Sequence, residues 1–268
     1  MITYSYTQIA QYLSCPKRYR YRYVDGWQEK ETRAAAVFGR VFEHALGSYF
    51  RRQDASAAFF EEWAKYRDSK LDYAKGEGWD LMAHQAVQLL DRFAKEDRVA
   101  IQQPARNLQV KYLKRLSDQS EYVAYVDAIG KLDGGRCLIE WKTTSARYPD
   151  EIDQLYSLDQ QLIAYSWISG ISDVALVVFV RKRFPEIQYL RTTISDNQRE
   201  EYGSLVKQTI ARIEAGHFLA HSGVRFPQNS CLSCAFQGLC LNSPALISSQ
   251  LNRSPAGAQL DWIDELAG

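Results

Sequence analysis

The chain has 268 residues, enough for one large domain or two small ones with a proper core. Its 46% hydrophobic and 24% charged residues are ordinary for a globular protein, and a net charge of +1 excludes a globally basic nucleic-acid binder, so any such surface must be a local patch. No apolar run approaches the roughly eighteen residues of a membrane span, and MITYSYTQIAQYLSCPKRYR lacks a basic stretch followed by an apolar one, so neither a transmembrane helix nor a secretory signal is expected. The expected location is cytoplasmic, where the five cysteines point to metal binding or reactive thiols rather than disulfides.

In chain order, Ser5 is placed to cap a helix running through Tyr12 to Tyr23, with a break or kink at Pro16. Val37 to Phe50, VFGRVFEHALGSYF, carries apolar residues at helical spacing. Asp54 to Lys70 and Trp79 to Arg98 read as two more helices. Beyond Pro104 the texture changes. Leu108 to Leu116, Tyr122 to Leu132 and Gly135 to Thr144 read as successive strands, the last two joined by a turn at Asp133-Gly134-Gly135. Gln154 to Trp167 returns to helix. DVALVVFVRK is an apolar strand, EIQYLRTTI its more exposed partner, and Asn197 to Gly216 a long helix. A cysteine-rich loop follows, then the linker-like SPALISSQLNRSPAGAQ and the tail LDWIDELAG. Strands bracketed by helices indicate an α/β core with a helical insertion before it.

The segment VDAIGKLDGGRCLIEWK carries the chemistry. Asp127 lies near the end of one strand; Glu140 and Lys142, two apart on the next, share a face, and the hairpin brings Asp127 toward Glu140. Two carboxylates and a lysine suit a hard cation, magnesium or manganese, and a phosphodiester. So short a pattern more often marks a solvated sheet face. Here the apolar CLIE before the acid means that Glu140 emerges from a buried strand, which is costly unless it binds something.

Asp127 with Glu140-x-Lys142 resembles the PD-(D/E)XK nuclease superfamily, in its RecB-like branch. GRVFEHAL resembles the branch's upstream helical motif, which implies His44 as an additional metal ligand beside Asp127 and Glu140. QLIAY resembles its Q-x-x-x-Y motif, which implies that Gln161 and Tyr165 position substrate and lysine. Taken without the resemblance, His44 could be a core histidine and the Gln161–Tyr165 pair simple packing at i and i+4. Relatives often carry Glu on the first core strand, where this chain has Gln109. The similarity spans about residues 5 to 240. It implies a restriction-endonuclease-like mixed sheet core flanked by helices, with an N-terminal helical region and a C-terminal iron–sulfur cluster loop.

Cys231, Cys234 and Cys240 form C-x2-C-x5-C, with Cys15 far upstream. Four thiolates can hold one tetrahedral zinc or a 4Fe–4S cluster. The one-plus-three split resembles the iron–sulfur nucleases of this branch, the AddB-type subunits and the nuclease of CRISPR adaptation, and so implies the cluster, with zinc as the alternative. Cys137, inside a strand, reads as a small buried apolar residue. CPKRYRYRY resembles the segment behind the first cluster ligand. Tyr12, Cys15 and Tyr19 would share a face, while Lys17, Arg18, Arg20 and Arg22 are either solvated or line a single-strand path. His217 and His221 read as ordinary surface or packing residues.

The expected organisation is one nuclease domain over residues 1–242, with a helical insertion at about 54–104 and ends stapled through Cys15 and residues 231–240, followed by a linker and tail over 243–268. The expected activity is metal-dependent hydrolysis of DNA phosphodiesters, as an exonuclease on single strands or ends. The alternative is a non-catalytic or partner-dependent DNA-binding subunit of a repair, recombination or CRISPR-adaptation complex; the presence of every signature residue argues against it. No G-x-x-x-x-G-K-[ST] occurs, so resection of duplex DNA would require a helicase or other protein partner in trans. Leu260, Trp262, Ile263 and Leu266 make the tail either a docking segment or a cover for its own domain.

Overall fold

The computed structural model describes residues 1–30, 32–149, 155–220 and 231–254, which fall into two compact units. The first comprises Met1–Thr3 and Thr32–Gly203; the second is drawn from Tyr4–Glu31 and Ser204–Gly268. The tail anchors Leu260, Trp262, Ile263 and Leu266, together with His221, lie outside the described residues.

In the first unit, seven strands among the described residues form one mixed sheet: β1 (Ile2–Ser5), β2 (Val99–Ala100), β3 (Leu108–Arg115), β4 (Ser120–Leu132), β5 (Gly135–Thr144), β6 (Asp173–Val180) and β7 (Glu186–Thr193). The path runs β1-β4-β5-β6-β7, with β2 and β3 also on the long β4. β4 and β5 form an antiparallel hairpin closed by Asp133 and Gly134, whose φ values of 49° and 82° are those of the tight turn that Asp-Gly favours. Arg98 holds this turn through two hydrogen bonds to the Asp133 carboxylate, at 2.9 and 2.6 Å. β5 and β6 are parallel, in the register Glu140↔Leu176 and Lys142↔Val178. Parallel neighbours need a crossover, and helix Gln160–Ser169 lies in it.

Helices Ala34–Phe50, Ala55–Ala64 and Trp79–Glu96 cover one side of the sheet, their apolar faces meeting Trp141 and Phe179 in a single core cluster. Phe38, Phe42, Phe59, Trp63, Phe93 and Trp141 are its large members. The region expected as an insertion, 54–104, thus supplies part of the core. Its first helix ends at Ala64 instead of running to Lys70. The indole of Trp79 donates to the Trp63 carbonyl at 3.1 Å while the indole of Trp63 donates to the Trp79 carbonyl at 3.2 Å, their rings 6.2 Å apart. This exchange satisfies a helix-end carbonyl that would otherwise need the next turn. The Gln160–Ser169 helix begins later than expected, after a 3-10 turn at Leu155–Leu158, because Asp159 caps it by accepting from the Gln161 and Leu162 amides.

In the second unit, Ser5 caps helix Tyr6–Ser14, as its sequence suggests. Cys15 is extended, with φ −160° and ψ 107°, as a residue before proline prefers, and Pro16 opens the next helical turns through Val24. The tyrosines point inward: Tyr12 packs edge-on against Tyr19 at 5.6 Å, Phe218 meets both rings, and the Tyr12 hydroxyl donates to the His217 carbonyl at 2.6 Å. The basic-aromatic run is therefore a helical packing surface. His217 is exposed.

Trp63→Ala should remove about 3–5 kcal/mol of stability, because a fully buried indole and the paired hydrogen bonds go together. Urea unfolding followed by tryptophan fluorescence measures it; a loss under about 1 kcal/mol would count against this account of the helix end.

Candidate active site

Asp127 on β4, Glu140 and Lys142 on β5, and Gln161 on the crossover helix meet at one place. The hairpin register sets Ala128 opposite Ile139, so Asp127 and Glu140 stand on adjoining strands with side chains on one face. Asp127 Oδ2 accepts from the Trp141 backbone N–H at 2.9 Å. Lys142 Nζ donates to Glu140 Oε1 at 2.5 Å and to Gln161 Oε1 at 2.7 Å. Gln161 Nε2 donates in turn to Glu140 Oε1 and to the Tyr165 hydroxyl, both at 2.8 Å. One amide thus orients lysine, carboxylate and phenol together. Tyr165 is buried at i+4 from Gln161, the spacing that puts both on one helix face.

His44 does not join them. It faces solvent on helix Ala34–Phe50, and Glu43, one residue earlier, turns into the site. Glu43 accepts from Gln109 Nε2, which also lies 3.5 Å from Asp127 Oδ1. Glu43 and Asp127 are within hydrogen-bond reach of each other, as are Asp127 and Glu140. The signal for Glu43 was the spacing from Gly39, four residues upstream, on the same helical stripe. Gly39 is where this helix approaches β5: a Cβ there would sit 3.4 Å from Thr143 Oγ1. Gln109 reaches the site with φ 50°, a left-handed conformation uncommon for glutamine and costly without surrounding support.

Electrostatics follow from enclosure. Burial, then repulsion from Glu140, pushes Glu43 up to about 7. Burial, with Glu140 and Glu43 beside it, holds Asp127 well above the usual carboxylate range. Burial alone would push Lys142 down, but the charge of and hydrogen bond to Glu140 outweigh it, so the ammonium is favoured. Burial also raises the Tyr165 phenol, with Glu140 and Asp127 adding to it.

The residues fit a hard cation. Glu140 Oε2 is buried with no hydrogen-bond partner, although it belongs to a carboxylate. The donors around it, from Glu43, Asp127 and Glu140, are all oxygen, as magnesium or manganese prefers. Among the described residues no group of three His, Cys, Asp or Glu is arranged to hold an ion.

The sequence-expected thiols lie in the second unit. Cys15 and Cys240 both raise the Cys234 thiol, after burial, while Arg18 lowers it, so these groups are electrostatic neighbours. Cys231 precedes Cys234 in one turn, the Cys234 amide donating to the Cys231 carbonyl at 3.2 Å. Tyr21 stacks on Phe236 at 6.2 Å and its hydroxyl is 3.9 Å from Cys240 Sγ. The four sulfurs do not form a closed site. Cys137 is fully buried in β5, as expected.

The mixed sheet thus carries an Asp…Glu-x-Lys set at its parallel–antiparallel junction. Residues 3–241 match the family model of the PD-(D/E)XK nuclease superfamily, and the chain belongs to it. Among solved structures, it is similar to a "Putative exonuclease" from Eubacterium rectale, at 13% identity over 84% of this chain and 90% of that one, with a TM-score of 0.47. It is also similar to LHK-Exo in complex with dAMP, at 15% identity over 68% and 91% of the two chains, with a TM-score of 0.33. Among curated proteins none matches the sequence.

Glu43→Gln should weaken manganese binding at least about tenfold, whereas His44→Ala, at an exposed position, should leave it unchanged. Calorimetric titration of both variants decides between them; the reverse ranking would return the ligand role to His44.

Proposed function

We propose that the protein is a metal-dependent nuclease of the RecB-like branch that hydrolyses DNA phosphodiester bonds, acting as an exonuclease on single strands or DNA ends. The observation that carries this reading is the unpartnered Glu140 Oε2, set among the Asp127 and Glu43 carboxylates and beside the Lys142 ammonium. A bound magnesium or manganese ion would supply a water of lowered pKa and neutralise charge on the leaving oxygen. Asp127 and Glu140 would hold it, with Glu43 in place of the histidine expected at 44.

The chain's own residues do the positioning. Gln161 fixes Lys142 against Glu140, so that the ammonium stands where negative charge grows on the phosphate. The Trp141 amide fixes Asp127. Gln109 donates toward both Glu43 and Asp127 and keeps them from turning away. Tyr165 anchors the far end of Gln161.

Cys15, Cys231, Cys234 and Cys240 are proposed to hold a 4Fe–4S cluster, with zinc the alternative. The neighbourhood of Cys15, Cys234 and Cys240 within one unit supports it. Its role would be structural, tying residues distant in sequence. A helicase or other protein in trans is the proposed companion for duplex substrates.

End-labelled single-stranded DNA and duplex ends, incubated with anaerobically purified protein, should be degraded with manganese or magnesium and spared with chelator or in Lys142→Ala. Failure of intact wild type to cleave either substrate would overturn the nuclease reading. For the thiol site, wild type should carry about four irons per chain and a visible absorbance, both lost in Cys234→Ser along with thermal stability; stoichiometric zinc would replace the cluster, and an unchanged melting temperature would refute the structural role.

A further inference from the structure

The hairpin between β6 and β7 does more than reverse the chain. Its tip reads Arg181-Lys182-Arg183-Phe184-Pro185. Phe184 is 76% exposed, and the Arg183 guanidinium lies 5.5 Å from its ring centroid. A single exposed phenylalanine is unremarkable on a mobile loop, but this one is mounted on fixed supports. The Arg181 side chain, 3% exposed, pairs with Glu77 at 2.8 Å and lies 4.8 Å from the centre of the Phe38 ring. Gln85 donates to the Lys182 carbonyl at 3.3 Å, and Arg92 donates to the Pro185 carbonyl at 3.1 Å. The backbone on both sides of the ring is thus bound to the helical layer while the ring itself points outward.

The tip also stands at a particular end of the sheet. β5 and β6 run parallel with Lys142 opposite Val178 and Thr144 opposite Val180, and the Arg181 amide donates to the Thr144 carbonyl at 2.7 Å. The catalytic strand therefore ends where the tip begins. Thr144, two residues beyond Lys142, and the tip stand at one end of the sheet. A rigid aromatic face flanked by arginine is matched chemically by an unpaired nucleobase with its phosphates: the base stacks on the ring, and the cation meets the backbone.

We propose that Arg183 and Phe184 form a base-stacking contact for single-stranded nucleic acid leading to or from the active site. This assignment rests on the nuclease reading above and adds a specific contact to it. The ring holds a base and Arg183 binds a flanking phosphate, while the Lys182 ammonium pairs with Glu186 at 2.8 Å.

The test uses the full chain carrying Lys142→Ala, so that binding is read without cleavage, and fluorescence anisotropy with a labelled oligothymidine of about 20 nucleotides at fixed salt. Adding Phe184→Ala should weaken binding by roughly 5- to 100-fold, and Phe184→Trp should restore it. Arg183→Gln should weaken binding and lower the salt dependence by about one ion. Melting temperatures should not move, since both side chains are exposed. Equal affinity of the Phe184→Ala protein and its parent, with wild type still cleaving, would overturn the tip assignment alone, and the exposed ring would then belong to a protein contact. Absence of oligonucleotide binding by the parent together with absence of cleavage by wild type would overturn the nuclease reading and the tip with it.

Discussion

Three carboxylates from three elements crowd one lysine, and that crowding is what the rest of the first unit must sustain. Glu43 comes from a helix, Asp127 and Glu140 from adjoining strands; burial and the charge of Glu140 raise Glu43, and burial with Glu140 and Glu43 raises Asp127. Left alone, such groups would separate or take up water. They stay because each is tied by a directional bond from a group that cannot move: a strand amide for Asp127, a lysine and a helix amide for Glu140, a strand glutamine for Glu43. The arrangement is destabilising in itself and persists through its surroundings, as functional sites often do.

Those surroundings are largely aromatic. Trp141 sits between Glu140 and Lys142 in the chain: its amide holds Asp127, while its ring stacks at 6.0 Å on Phe50 from the same helix that carries Glu43. Phe93 and Phe179 close around it. One residue therefore belongs to both the site and the core, and the helix that delivers Glu43 is positioned by rings it buries on its other face. The parallel pairing of β5 and β6 does the complementary work. It requires a crossover, and the crossover helix is the one that brings Gln161 and Tyr165 over the catalytic strand.

Five of the seven strands were legible in the sequence to within a residue or two, because each alternates or is uniformly apolar and the Asp133-Gly134 turn admits few conformations, whereas the short β1 and β2 carry no such pattern. The placing of Asp127, Glu140 and Lys142 together was legible in their spacing on the hairpin, and that of Gln161 and Tyr165 in the resemblance of QLIAY to the Q-x-x-x-Y motif. Glu43 was not. A histidine and a glutamate side by side on a helix differ by about 100° in direction, and the resemblance pointed to the histidine, which the helix turns to solvent. The left-handed backbone at Gln109 could not be read either, since glutamine gives no sign of it. The end of the second core helix depended on two indoles sixteen residues apart exchanging bonds, a tertiary event invisible to local propensity. The inward tyrosines of the second unit followed from helical phase once Pro16 was taken as a break rather than an end.

The amide at position 109 also sets a charge balance. With glutamine there, the ionised set of Glu43, Asp127 and Glu140 opposed by Lys142 carries a net charge of −2. One divalent cation of the proposed kind makes that set neutral. A glutamate at the same place, reached through the same backbone, would leave an uncompensated negative charge and favour a second cation. A single side-chain nitrogen on the first core strand thus bears on the charge of the site, and on how strongly its carboxylates repel one another, as well as on its geometry.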